Sequence, residues 1–174
     1  MKKTVYLFFK RALDFILALA AMLVLSPLFA VIAVAVRLDS KGPVFFCQRR
    51  AGKCRLDFKM VKFRTMRQDT PHDTATHLLN NADSYITRVG ALLRKTSLDE
   101  LPQLWNIVRG DMAIVGPRPA LWNQFDLLDE RDKYGANDVR PGLTGWAQIN
   151  GRDELPIAEK AALDGEYVRK MSLG

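Results

Sequence analysis

Cysteine and histidine are nearly absent from this chain, with two of each in 174 residues. Cys47 and Cys54 have no second pair, and His72 and His77 lie well away from them, so no zinc-binding spacing is present. Two isolated cysteines fit free thiols in a reducing compartment better than a disulfide framework. No segment repeats, which excludes solenoids and propellers. No long linker divides the chain, and its length suits one modest domain rather than two. Acidic residues are outnumbered, 19 Asp plus Glu against 26 Lys plus Arg, for a net charge of +7. That excess points to a polyanionic partner: nucleic acid, an anionic bilayer or phosphorylated substrates. Nucleic acid is disfavoured, because no basic stripe with interleaved aromatics appears. Apolar content is ample for a core and excludes global disorder.

Charge is wholly missing from residues 15–36. The run exceeds the roughly 20 residues that a bilayer-crossing helix needs. It is too long for the apolar core of a signal peptide, and no clean small-residue cleavage site follows it. Ser26-Pro27 sits in its middle. Proline has no N–H, and its ring clashes with the carbonyl four residues back, so the helix should kink or break there. The Ser26 hydroxyl is then available to a freed backbone group. Both flanks are basic: Lys2, Lys3, Lys10 and Arg11 before the run, and Arg37, Lys41, Arg49, Arg50, Lys53 and Arg55 after it. A straight span would carry one basic flank across the membrane. A helix that enters, bends at Ser26-Pro27 and leaves on the same side keeps both in the cytoplasm, which the positive-inside rule favours. A Pro-kinked span is the alternative. Asp14, at the entrance, has Lys10 and Arg11 within helical pairing distance.

From Gly42-Pro43 onward the pattern changes. Val44-Phe45-Phe46-Cys47-Gln48 reads as a strand, Ala51-Gly52-Lys53 as a turn, and residues 57–63 as a second strand, predicting a β-hairpin. Residues 68–76 read as a polar loop. Apolar spacing predicts helices over 77–95, 101–108 and 121–134, the second closed by Gly110, and an amphipathic helix over 155–171. Gly116-Pro117-Arg118-Pro119 and Arg140-Pro141-Gly142-Leu143-Thr144-Gly145 read as stiff turns.

Thr96-Ser97-Leu98-Asp99-Glu100 admits two readings. Ser97 with Glu100 three residues on fits a capping box, and Asp99 as N-cap would make Pro102 a first-turn residue. Either placement puts Asp99 near a helix N-terminus, where its ionised form is favoured. An ionised Asp is also a competent nucleophile toward phosphorus, and an adjacent Glu offers Mg²⁺ a hard oxygen. Lys62 and Arg64 should share one face of a strand. With Arg94, Arg118 and Arg140 they bracket the dyad as a set suited to phosphate.

These residues carry a family resemblance that runs from about Phe9 to Tyr167. The runs are Lys10-Arg11-x-x-Asp14, Ser26-Pro27, Gly42-Pro43-Val44-Phe45 and Lys62-Phe63-Arg64-Thr65-Met66. They continue with Ser97-Leu98-Asp99-Glu100-Leu101-Pro102-Gln103-Leu104-Trp105-Asn106, Gly110-Asp111-Met112, Val115-Gly116-Pro117-Arg118-Pro119, and the stretch from Arg140 to Arg152, which includes Gln148. In this order they resemble the monotopic phosphoglycosyl transferases of the bacterial sugar transferase family. The resemblance implies an α+β, mainly helical fold. It would have a re-entrant membrane helix over 1–40 broken at Ser26-Pro27, a catalytic unit over 41–174 on the cytoplasmic face of the bacterial inner membrane, interfacial amphipathic helices and a small β-hairpin. It implies transfer of a sugar 1-phosphate from a UDP-sugar to polyprenyl phosphate with release of UMP, the first membrane step of glycoconjugate synthesis. On this resemblance Asp99 is the nucleophile and Glu100 holds Mg²⁺. Lys62, Arg64, Arg94, Arg118, Arg140 and Gln148 serve the substrates. Members usually continue past the region of Tyr167 into an apolar, basic segment, and larger members add N-terminal membrane helices and a nucleotide-binding-like domain. The resemblance therefore corresponds to the minimal catalytic version. The rival readings are a membrane-anchored binding or scaffold protein without turnover, and a nucleotide-sugar pyrophosphatase that uses water as acceptor.

Overall fold

The computed structural model describes residues 2–70, 82–151 and 154–171. It begins with two helices, α1 (Lys2–Val24) and α2 (Ser26–Asp39), joined at Leu25 and bent by 63°. The bend follows from local chemistry. Pro27 stands in the first turn of α2 without an N–H. The carbonyl it would have bonded, that of Leu23, accepts from the Ser26 hydroxyl instead, at 2.8 Å. Ser26-Pro27 thus breaks the helix as expected while leaving no orphaned acceptor. Among the described residues no single helix is long and apolar enough to cross a membrane, whereas the bent pair taken together is.

The predicted hairpin is present as β1 (Phe45–Ala51) and β2 (Asp57–Phe63), antiparallel, with Phe45 opposite Phe63 and Ala51 opposite Asp57. β1 runs on through Ala51, which the sequence pattern had assigned to the turn. An Arg49–Asp57 ion pair at its far end rewards the longer ladder. The turn itself is 52–56, with Cys54 and Arg55 in the left-handed region.

The helix expected over 77–95 is two pieces where it is described, α3 (Ala82–Tyr85) and α4 (Arg88–Thr96); residues 77–81 lie outside the described residues, as does most of the predicted loop over 68–76. The interruption has a cause. Ile86 forms an antiparallel bridge with Met66, and Thr87 then restarts the helix, its hydroxyl accepting the Gly90 N–H at 3.0 Å. α4 ends at Ser97, and a 3₁₀ turn, Leu98–Glu100, leads to α5 (Gln103–Arg109). Gly110, at φ +96°, closes α5 as predicted.

The two turn-rich segments do more than turn. β3 (Ala113–Val115) and β4 (Gly142–Thr144) pair in parallel as a second small sheet. The helix expected over 121–134 is shortened to α6 (Phe125–Asp132), because Leu121 is spent bridging Arg50 of β1. α7 (Trp146–Ile149) and α8 (Ile157–Lys170) are the last elements among the described residues. The fold is mainly helical with small sheets, in agreement with the coarse expectation.

Two buried clusters hold the bent helices against this body. Ala18 of α1 packs with Met60, Leu104, Ile107 and Met112. Ile32 and Val36 of α2 pack with Phe63 and Leu93. Each fully buried side chain of this size contributes roughly 1.5–3 kcal/mol. A third cluster, Ala51, Ala120, Leu127, Leu128 and Ala161, seats α6 and α8 behind the hairpin.

Candidate active site

The dyad sits on the 3₁₀ turn between α4 and α5, and neither capping reading holds. Ser97 adopts the left-handed conformation (φ +58°) as the C-cap of α4, so its hydroxyl is not placed to cap α5. Pro102 occupies the N-cap of α5, with no side-chain cap. Freed from capping, the two carboxylates take different environments. Asp99 is buried, with 8% of its surface exposed. Glu100 meets Lys62 Nζ at 2.7 Å and Arg118 Nη2 at 3.3 Å, both at Oε1.

These environments separate the two acids. Burial pushes the Asp99 carboxyl above the ordinary carboxylate range. The Lys62 and Arg94 charges oppose the shift and Glu100 adds to it. Desolvation therefore shifts Asp99 in the direction opposite to that expected from a helix N-terminus. Burial acts on Glu100 in the same direction, but the charges and hydrogen bonds of Lys62 and Arg118 outweigh it and hold Glu100 below its usual value. Lys62 is shifted below the ordinary lysine value, by burial first and by Arg118 next, against the pull of Glu100. Two neighbouring carboxyls pushed apart in this way can take different roles.

Of the cations named from sequence, Lys62, Arg94 and Arg118 act on the dyad. Arg64 and Arg140 are engaged elsewhere, each on backbone carbonyls. Arg64 lies beyond the end of β2, so the strand rule does not carry it to the face of Lys62. Its guanidinium donates to the carbonyls of Ser40 (2.7 Å) and Lys41, just past the end of α2. Arg140 Nε donates to the Gly110 carbonyl at 2.7 Å, at the end of α5. Both arginines thus pair with backbone carbonyls of residues that follow a helix C-terminus, where positive charge is favourable. Gln148, in α7, donates to the Leu143 carbonyl of β4 at 3.2 Å.

Three residues that position the site were not singled out as such from the sequence. Asn106 is fully buried; its side chain donates to the Lys59 carbonyl (2.8 Å) and accepts from the Val61 N–H (3.0 Å), fixing α5 to the strand that carries Lys62. A polar residue set among the apolar positions Leu104, Trp105, Ile107 and Val108 was the available signal. Arg11 donates to the carbonyls of Ile107 (2.6 Å) and Val108 (2.9 Å). Asp14 pairs with Lys10 at 2.7 Å and accepts the Ile114 N–H at 3.3 Å. The Lys10-Arg11-x-x-Asp14 run therefore fastens α1 to both α5 and β3.

An Mg²⁺ fits the dyad in one respect. Both cations meet Glu100 at Oε1, and among the described residues no protein donor is seen on Oε2, which leaves a hard oxygen on an ionised group. No group of three or more metal-ligating side chains occurs among the described residues. A site of this kind suits an ion that takes most of its ligands from water and substrate phosphates. The open hollow of about 690 Å³ at the end of α2, lined by Arg37, Lys41, Gly42, Pro43 and Val44, does not include the dyad and carries no acid.

A family profile described as bacterial sugar transferase matches residues 5–174. The chain is 42% identical to an undecaprenyl-phosphate glucose phosphotransferase of Komagataeibacter xylinus, over 94% of this chain and 33% of that protein. It is 40% identical to the exopolysaccharide production protein ExoY of Rhizobium meliloti, over 94% of this chain and 78% of that one. It is 41% identical to a UDP-N-acetylgalactosamine-undecaprenyl-phosphate N-acetylgalactosaminephosphotransferase of Aeromonas hydrophila, over 97% and 41%. The chain spans about a third of the first of these and most of the second. With the profile covering nearly all of it and the dyad, Lys62 and Arg118 brought together, this chain belongs to the bacterial sugar transferase family.

Proposed function

We propose that the protein is a phosphoglycosyl transferase that moves a sugar 1-phosphate from a UDP-sugar to undecaprenyl or a similar polyprenyl phosphate. The observation that carries this reading is a buried carboxyl, Asp99, beside a carboxylate clamped by two cations, in a body fastened to a bent apolar helix pair. The names of the relatives supply the substrate classes.

In the first step an Asp99 carboxylate oxygen attacks the β-phosphorus of the UDP-sugar. The bond from that phosphorus to the bridging oxygen breaks, and UMP leaves with the electron pair. The sugar phosphate remains on Asp99 as an acyl phosphate. In the second step a phosphate oxygen of the lipid attacks the same phosphorus and restores the Asp99 carboxylate. Lys62, Arg94 and Arg118 neutralise charge on the phosphoryl oxygens. Glu100 would hold Mg²⁺, which would supply further charge neutralisation on the phosphates. Burial of Asp99 strips water from the nucleophile and disfavours hydrolysis of the acyl phosphate.

Residues 1–40 then form a membrane-inserted re-entrant unit, and 41–174 the catalytic unit on the cytoplasmic face. The bend, the basic flanks and the exposed apolar surfaces of α1 and α2 support this placement. It brings a soluble nucleotide sugar and a lipid phosphate to one site at headgroup depth.

The test is UMP release from a panel of UDP-sugars, with detergent-solubilised protein, Mg²⁺ and polyprenyl phosphate. Asp99→Asn should lower release by at least about 10³-fold, as loss of a nucleophile does. Without lipid, the wild type should accumulate a phosphosugar adduct on the Asp99 peptide. Full turnover in Asp99→Asn would remove the covalent mechanism, and lipid-independent release without an adduct would favour water as acceptor.

A further inference from the structure

Arg118 is 18 residues from Glu100 in sequence, and its reach across the site depends on how its loop is held. The loop is tied by hydrogen bonds to its backbone on both sides of Arg118, one of them from the Arg50 side chain. On one side the Gly116 N–H donates to the Thr144 carbonyl (2.9 Å), and the Gly142 N–H donates to the Pro117 carbonyl (2.8 Å). On the other, Arg50 donates to the Pro119 carbonyl (3.0 Å), and the Ala51 N–H donates to the Ala120 carbonyl (3.0 Å). Arg118 is suspended between these two anchors.

The first anchor is a contact between backbones with no side chain in between. A Cβ added to Gly142 would lie 2.1 Å from the Gly116 nitrogen, 2.4 Å from the Thr144 carbonyl oxygen and 2.6 Å from the Gly116 oxygen. From the facing side, a Cβ on Gly116 would lie 2.5 Å from the Arg140 carbonyl oxygen. These obstacles are backbone atoms, which no rotamer change relieves. Any larger residue must push residues 113–117 away from 140–145, and Arg118 moves with them.

We infer that Gly116 and Gly142 are positioning residues for phosphoryl transfer, whose side-chain-free contact sets the reach of Arg118 to Glu100 and to the substrate phosphates. The two turn motifs, Gly-Pro-Arg-Pro and Arg-Pro-Gly-Leu-Thr-Gly, then form a single device: one carries the arginine and the other sets its distance. This rests on reading the dyad as the phosphoryl-transfer centre. A displacement of about 1 Å at such a centre costs on the order of 10²-fold in rate.

The experiment compares UMP release by Gly142→Ala in the wild-type and Arg118→Ala backgrounds, with hydrogen exchange of residues 113–121 measured on the same detergent-solubilised proteins. The expected result is a loss of about 10²-fold in the wild type, little further loss in Arg118→Ala, and faster exchange across 113–121. An equal loss in both backgrounds, or none in the wild type, overturns the inference, because damage that does not act through Arg118 adds independently. If Gly142→Ala lacks a cooperative melting transition, Leu143→Val carries the same comparison; it loosens β4 without adding an atom and should cost several-fold only when Arg118 is present. If the wild type releases no UMP from any sugar, the catalytic reading fails instead, and hydrogen exchange still judges the contact: unchanged exchange in Gly142→Ala sinks it.

Discussion

The bent helix pair and the body it meets are built on opposite rules. Along α1 and α2 the large apolar side chains face outward: Phe8 is 70% exposed, Val24 77% and Leu38 81%. In the body the deepest positions include polar and charged groups, Asn106, Asp164 and Arg131, each bonded to a specific partner, Asp164 through Oδ2 alone. An outward apolar surface of this extent is costly in water, which supports the membrane placement proposed above. The polar interior is costly in any phase unless every group is paired, which ties its stability to geometry rather than area. The two regions meet where each departs from its rule. Lys10, Arg11 and Asp14 are the polar residues of α1 that reach the backbone of α5 and β3 or support that contact, while Ala18 and Ile32 are its apolar points of entry.

The contrast predicts where each region breaks. The largest effect on stability should come from the body. Arg131 and Asp164 are a buried ion pair at 2.6 Å that joins α6 to α8. Arg131→Met strands the Asp164 carboxylate and should destabilise the protein by about 3–5 kcal/mol, read as a fall in denaturation midpoint in detergent. A variant as stable as wild type would show that the pair carries nothing. Next, Lys62→Met removes a charge that holds down both acids. Release of UMP should fall by about 10²-fold, the scale of losing one preorganised charge donor. Its acid limb should move to higher pH, since removing a nearby cation raises a carboxyl pKa further. An acid limb at unchanged pH would separate Lys62 from the ionisation of the dyad.

At the junction, Arg11→Met loses two charge-assisted hydrogen bonds to the end of α5 and should cost on the order of 2 kcal/mol, with turnover falling alongside stability. Membrane association should be untouched, which vesicle flotation would check; loss of flotation would place Arg11 in the membrane contact instead. The smallest effect belongs to the bend. Ser26→Ala forfeits one hydrogen bond, worth about 1 kcal/mol, and the helix should stay bent because Pro27 still lacks its N–H. Accessibility labelling on either side of the bilayer should find residues 4 and 41 on the same face in wild type and variant alike. Opposite faces in the variant would mean that serine, not proline, enforces the bend.

Much of this was legible along the chain. Ser26-Pro27 announced a break, the alternation over 57–63 announced a strand, and Gly110 announced a helix end, because each effect acts within a turn or two of its residue. Asp99-Glu100 announced acidic chemistry but pointed to the wrong local role. The capping pattern around Ser97 matches a helix start, whereas Ser97 ends α4 in the left-handed conformation and the dyad turns inward. Arg64, Arg94, Arg118 and Arg140 look alike in sequence, since each flanks a turn. Two of them meet carbonyls just past helix ends and two act on the dyad; for Arg64, Arg118 and Arg140 the division is settled by partners 18 to 30 residues away.

What the sequence determined alone is therefore what short-range sterics and composition enforce: an uncharged run interrupted by proline, a hairpin, and an acidic pair in a strongly basic chain. Only the tertiary structure decided which cations reach which carbonyl or carboxylate, that Asp99 is buried with its pKa shifted upward by desolvation, and that two proline-rich turns pair as parallel strands. The physical reason is range. Backbone sterics act over a few residues, but desolvation and ion pairing depend on what packing brings near, as with Arg11 meeting a carbonyl 96 positions away.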